Sequence, residues 1–431
     1  MTTEFAAYVG LDWADKKHFY TLRTAEGKTQ RGQLENTPQA VEIWAAELAQ
    51  RFGCRPVAVA LEQARGAVVA MLRKYAHLVV FAIHPNKLKD YRKAARPSGA
   101  KSDAVDGDLA LELLYAHRDW LQRLDPDTLE TRRLQFLTEE RRRLVNEHSS
   151  HKQQLIGWLK QVFPQVLQWF HDPASPMVGQ FLFRWPTLEA LQKTKPDVLR
   201  KFFQKHNCRS QERIEERIAA IGPAAPATND AALLETAQLA IQQLVAALGQ
   251  LQDTIAEFER RIAEVYAAHE DAPVVSSFPG LGPALGPRVI AALGTQRGRY
   301  LASHNLACAV GIAPVTEASG NQLWIHWRFA CPKFLRQTFH EWAGCSIRCC
   351  DWAREHYDGQ RAKGKGHHAA LRSVAFKWLR ILFRCWRDRT PYSEQVYLSR
   401  RPPRQLKSDS APFAVQWKSC AGFSKISQLD A

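Results

Sequence analysis

Negative charge is scarce in this sequence: 43 Asp and Glu stand against 59 Lys and Arg, a formal net charge of +16. An excess of that size goes beyond what solubility requires. It points to polyanionic partners, nucleic acid ahead of an acidic membrane, because no lipidation signal or basic amphipathic anchor accompanies it. Long hydrophobic runs are missing too. No stretch reads as long enough to span a bilayer, and MTTEFAAYVGLDWADKK passes straight into a strand pattern without a signal-peptide core, so a cytoplasmic, nucleoid-associated location with no membrane contact is expected. Paired CxxC or HxxxH spacings are also absent. The nine cysteines fall at irregular positions and read as reduced thiols. Cys345, Cys349 and Cys350, with His356, His367 and His368, read as parts of packed helices rather than as a zinc site.

Apolar residues are not lacking, at 45% of the chain with 10% aromatic, which is the composition of a packed protein. A length of 431 residues implies two or three domains. The first segment reads as three strands, AAYVGLDWA, KHFYTLRTA and the more polar KTQRGQLEN, in an antiparallel meander. TPQAVEIWAAELAQRFG then carries helix signals, a Thr-Pro start and a Gly stop. PVAVALEQ and LVVFAIHP read as buried strands with the helix GAVVAMLRKYA between them. This order is that of a ribonuclease H-like or resolvase-like α/β domain, expected over 1–125. Two leucine-rich seams follow. The second, from Leu234 through Ile241, Leu248 and Ile255 to Ile262, keeps 3,4 spacing and predicts a coiled-coil arm. A coiled-coil region with a small helical insert is therefore expected over 126–271, a mainly helical C-terminal domain over 272–395 and a loosely ordered tail over 396–431. The fold class is α/β plus α.

Four carboxylates carry the chemistry. Asp12 ends the first strand in VGLDWA and Glu62 ends the buried run VAVALEQ, where an unpaired charge is costly. Asp103 and Asp106 in KSDAVDGDLA are three apart and share one helix face, with Asp108 off it. A strand-end Asp also closes turns, and acidic first-turn residues also complement a helix dipole. As a set of hard oxygen donors, however, the four suit Mg²⁺ or Mn²⁺ and phosphoryl transfer. Lys87, Lys89, Arg92, Lys93, Arg96 and Lys101 then read as phosphate contacts. Gly280 and Gly282 in FPGLGPALG resemble the amide-presenting turn of a helix-hairpin-helix.

YVGLDWADKKH, ALEQARG and SGAKSDAVDGDLA, followed by FPGLGPALGPRVIAALG and LACAVGIAPVTEASGNQ, resemble the DEDD-type insertion-sequence transposases related to the Piv and MooV invertases. The likeness runs to about residue 390. It implies that Asp12, Glu62, Asp103 and Asp106 form a metal-binding tetrad and that Ser319 attacks DNA to give a covalent intermediate. It also implies donor and target DNA as substrates, a guide RNA from the element and a homodimer or homotetramer. One alternative is a metal-dependent, structure-specific nuclease using activated water. The other is a non-catalytic scaffold whose acidic residues cap helices.

Overall fold

The computed structural model of the protein describes residues 5–95, 103–208 and 210–399. They fall into two compact units, 1–127 and 128–431.

In the first unit, β1 (Ala7–Asp12), β2 (Lys17–Thr24) and β3 (Thr29–Glu35) form the expected antiparallel meander. α1 (Pro38–Phe52) leads to β4 (Val57–Leu61), and α2 (Ala67–Leu72) leads to β5 (Leu78–Ala82). β4 and β5 run parallel to β1, which needs helical crossovers of this kind. The short β6 (Gln122–Arg123) pairs antiparallel with β5, and the sheet order is β3-β2-β1-β4-β5-β6. α1 starts where Thr37 accepts a hydrogen bond from the Ala40 amide and stops where Gly53 adopts φ 60°.

Period-two alternation gives the sheet two apolar faces. Val9, Leu11, Val57, Val59 and Leu61 pack with Trp44, Leu48 and Leu72 of α1 and α2. Ala58 and Ala60 instead meet Leu88 of α3 (Pro85–Ala95) and Leu109, Leu113 and Leu114 of α4 (Asp103–Ala116). α4 lies directly on β1 at Gly10, where an added Cβ would come within 2.1 Å of the Gly107 carbonyl oxygen. The contact is backbone on backbone, and only glycine permits it.

In the second unit, α5 (Leu129–Val162) and α11 (Ala231–Ala267) pair within the chain as an antiparallel arm. The seam breaks at Arg141 and His148 because both reach across it, Arg141 to Glu259 and His148 to Gln252 at 3.3 Å. Near one end, α6 (Gln165–Trp169), α7 (Pro176–Arg184), α8 (Leu188–Gln192), α9 (Pro196–Lys205) and α10 (Gln211–Ile221) form the small insert. Phe163, Phe181, Phe203, Ile241 and Leu244 make its core.

At the other end, Leu134 and Ile262 join a core of Phe278, Phe339, Trp342, Trp378 and Trp386. It is built by α12 (Ala272–Ser276), α13 (Gly286–Leu293), α14 (Ser303–Ala309), α15 (Lys333–Ser346), α16 (Asp351–Ala362) and α17 (His367–Arg387). β7 (Val315–Ser319) and β8 (Gln322–His326) form an exposed hairpin that precedes α15 in the chain. α18 (Glu394–Ser399) is helical where the loosely ordered tail was expected to begin, and the tail from 400 lies outside the described residues.

α11 corrects one expectation, since by length and composition it is apolar enough to cross a membrane. Its apolar row Ala237, Ile241, Leu244 and Leu248 is buried inside the unit.

Candidate active site

The site begins at one rim of the six-stranded sheet. Asp12 is the last residue of β1, and Glu62 is the first after β4. The register pairs Leu11 with Leu61, and the Ile83 amide donates to the Leu61 carbonyl at 2.9 Å, so strand pairing reaches this rim. Neighbouring strands lie about 4.8 Å apart, which sets the two carboxylate-bearing residues side by side. Both continue the even-numbered alternation of Gly10 and Ala60, the side on which α4 lies.

α4 brings the remaining carboxylates. Asp106 is 3% exposed, with Arg92 Nη2 of α3 at 2.6 Å from its Oδ1. By distance this is an ion pair, yet it lacks hydrogen-bond directionality: neither Asp106 Oδ1 nor Arg92 Nε has a hydrogen-bond partner. A buried carboxylate oxygen left in this way suits a cation. Asp108 points elsewhere. It accepts from Thr21 Oγ1 at 2.7 Å and from Arg31 Nη2 at 2.6 Å, tying α4 to β2 and β3 and raising the Arg31 guanidinium above its ordinary range. Asp103 opens α4, but its side chain lies outside the described residues, as do Arg96 and Lys101. Among the described residues no group of three or more His, Cys, Asp or Glu is gathered to hold a metal ion. The donor chemistry of Asp12, Glu62 and Asp106, hard oxygens with one buried and lacking a hydrogen bond, fits Mg²⁺ or Mn²⁺.

The basic residues divide. Lys89 and Lys93 are exposed on α3, whereas Lys87 donates from Nζ to the Trp120 carbonyl at 2.5 Å. Arg92, expected as a phosphate contact, is turned inward onto Asp106. Gly280 is a further correction. Its φ is +81°, and a Cβ there would meet the Ser346 amide nitrogen at 2.8 Å, so this glycine serves close packing against α15. Gly282 is exposed, and α13 begins only at Gly286.

Ser319 closes β7, exposed and paired in register with Gln322 across the turn at Gly320, whose φ is +55°. Glu317 and His326 face each other on the same hairpin at 3.1 Å. At the hairpin base, the Arg336 and Arg372 guanidinium groups lie 4.6 and 4.0 Å from the Trp327 ring centroid. Sequence reading missed this group. The signal was the repeated one-turn spacing Arg336/His340 and His368/Arg372 on two helices.

A family model described as a transposase, the DEDD type of IS110, matches residues 9–164. A second, described as the transposase IS116/IS110/IS902 family, matches residues 272–358. The first span contains Asp12, Glu62, Asp103 and Asp106, and the second contains Ser319. Among curated relatives, the mini-circle putative transposase for IS117 of Streptomyces coelicolor is 27% identical over 408 residues, 90% of this chain and 95% of the relative. The insertion element IS116 uncharacterized 44.8 kDa protein of Streptomyces clavuligerus is 25% identical over 386 residues, 89% and 95% of the two chains. The insertion element IS110 uncharacterized 43.6 kDa protein of S. coelicolor is 25% identical over 404 residues, 92% and 97%. Two matched segments in family order, and relatives aligned over nearly their full lengths, lead to one conclusion: the chain belongs to the IS110/IS116 family of DEDD transposases, enzymes that cut and recombine DNA.

Proposed function

We propose that this transposase is an RNA-guided DNA recombinase in which Ser319 is the nucleophile and Asp12, Glu62, Asp103 and Asp106 hold divalent metal on a ribonuclease H-like domain. The observation that carries the reading is the side-by-side placement of Asp12 and Glu62 at the rim beneath α4, where Asp106 is buried. Acidic caps for a helix would not require carboxylates at the ends of two adjacent strands.

Divalent metal on the tetrad supplies charge neutralisation for the carboxylates and for the transferring phosphoryl group. The chain's own groups do the rest. Ser319 Oγ forms a bond to phosphorus as the bond from phosphorus to one sugar oxygen breaks; the serine proton passes to solvent, and the leaving oxygen takes one from it. Attack by a second strand's hydroxyl on the phosphoserine reverses this step and completes exchange. An exposed hairpin end suits that role, since two DNA strands must reach the same oxygen in turn. The excess of positive charge supports binding to both DNA and an element-encoded RNA. Donor and target DNA are the substrates, and a dimer or tetramer is the working form.

Ser319→Ala tests the reading. Loss of all strand cleavage is expected, whereas a nuclease that activates water through the same carboxylates would continue to cut.

A further inference from the structure

A basic strip lies where the Ser319 hairpin meets the helical core. Arg336 and His340 stand one turn apart on α15, and His368 and Arg372 one turn apart on α17, so each helix presents its pair on one face. The faces meet: the His340 and His368 rings are 5.3 Å apart, and both guanidinium groups lie over Trp327, the residue that follows β8. Arg336 Nη1 also donates to the Arg328 carbonyl at 3.0 Å, and Arg328 Nε donates to the Ala313 carbonyl at 3.0 Å, which fixes the hairpin base to α15 and to the segment between α14 and β7.

Counter-charge is missing from this strip. Among the described residues no Asp or Glu forms an ion pair with Arg328, Arg336 or Arg372; nearby Glu317 is bonded to His326 and Glu341 to Arg288. Burial and the neighbouring Arg336 push Arg372 below the usual guanidinium range, and burial, His368 and Arg372 lower His340. Half-buried cations held this closely repel one another, and an anion among them removes the repulsion.

We propose that Trp327, Arg336, His340, His368 and Arg372 form a binding site for a backbone phosphate of the DNA strand that Ser319 attacks. A guanidinium fork matches phosphate oxygens, and stacking on an indole fixes its plane. The inference rests on the Ser319 reading for the identity of the strand. At about 3.3 Å per residue, β8 sets His326 roughly 13 Å from the hairpin end that bears Ser319. At about 3.4 Å per nucleotide, the phosphate held lies roughly four nucleotides from the bond that breaks. This proximity to the attacking serine favours DNA over RNA as the occupant.

The test uses the full chain labelled with 5-fluorotryptophan, with the Trp327 resonance assigned by its loss in Trp327→Phe. The ligands are a short DNA duplex of arbitrary sequence and an RNA duplex of the same length. Arg336→Ala and Arg372→Ala are each expected to weaken DNA binding about five- to tenfold at low salt and to reduce the salt slope by about one. The wild-type Trp327 resonance should move on adding DNA. Arg372→Lys, which keeps the charge, should retain the wild-type salt slope with reduced affinity. Wild-type affinity and slope in both alanine variants would overturn the site. A Trp327 resonance that stays fixed while DNA binds, or a loss confined to RNA, would overturn it equally. Ser319→Ala should bind DNA as wild type does, so failure of the nucleophile and failure of this site are read separately.

Discussion

Asp106 and Arg92 show how one buried contact shapes the candidate site. Arg92 is 18% and Asp106 4% exposed at the side chain, so removing the cation leaves a carboxylate with little water to compensate it. Arg92→Gln is expected to destabilise the metal-free protein by about 3 kcal/mol. Mn²⁺ should restore more of its melting temperature than it adds to wild type, because the ion no longer competes with the arginine; equal shifts in both proteins would contradict this. Gly10→Ala places a methyl 2.1 Å from a backbone oxygen that cannot rotate away. It should cost upwards of about 2 kcal/mol, read by thermal melting, and weaken Mn²⁺ binding by lifting α4 from the rim. Asp12 and Glu62 stand out in the sequence because charge at the end of a buried strand is costly, and Asp106 because it shares a helix face with Asp103. Arg92 was misread as a surface contact because its neighbours in sequence are basic. Leu88, four residues earlier and buried, held the clue, since residues four apart share a helix face.

At the level of elements, the β1–β2 turn that follows Asp12 is held by a histidine. His18 is fully buried, its Nδ1 accepts from the Ala14 amide at 3.3 Å, and burial lowers its pKa below 6.5 despite hydrogen bonds involving Asn36 and Ala14. A folded-state pKa below the unfolded one means that the unfolded chain binds the proton more readily. The stability His18 contributes is therefore complete above about pH 6.5 and is lost as the pH falls below it. Melting curves should show that loss in wild type and a flatter profile in His18→Gln. The five longer strands of the first unit, the α1 caps and the α11 seam were readable, because periodicity and end signals are local, whereas the sheet order and the short β6 are not local. α3 was hidden within a polar, basic run whose one buried residue is Leu88. The β7–β8 hairpin was hidden because its strands are exposed and lack an apolar face to alternate. Gly280 looked like an exposed amide turn because sequence does not show that α15 packs against it from residues far along the chain.

For the whole molecule, the carboxylates belong to the unit 1–127 and Ser319 to the unit 128–431. If subunits exchange these parts in the assembled enzyme, Asp106→Asn and Ser319→Ala, each inactive alone, should recover up to about a quarter to a half of wild-type recombination when mixed. That range follows from random subunit pairing of a symmetric dimer. No recovery after co-refolding would mean that each site is built within one chain. The central claim is tested most directly by incubating the protein with Mg²⁺, its element's flanking RNA, and donor and target DNA. Covalent protein–DNA species are then isolated under denaturing conditions, and the attachment point is mapped by mass spectrometry. The account predicts DNA linked to Ser319, formed by wild type and lost in Asp106→Asn. Metal-dependent cleavage with no linkage at Ser319 would contradict it and assign the carboxylates to a water-activating nuclease.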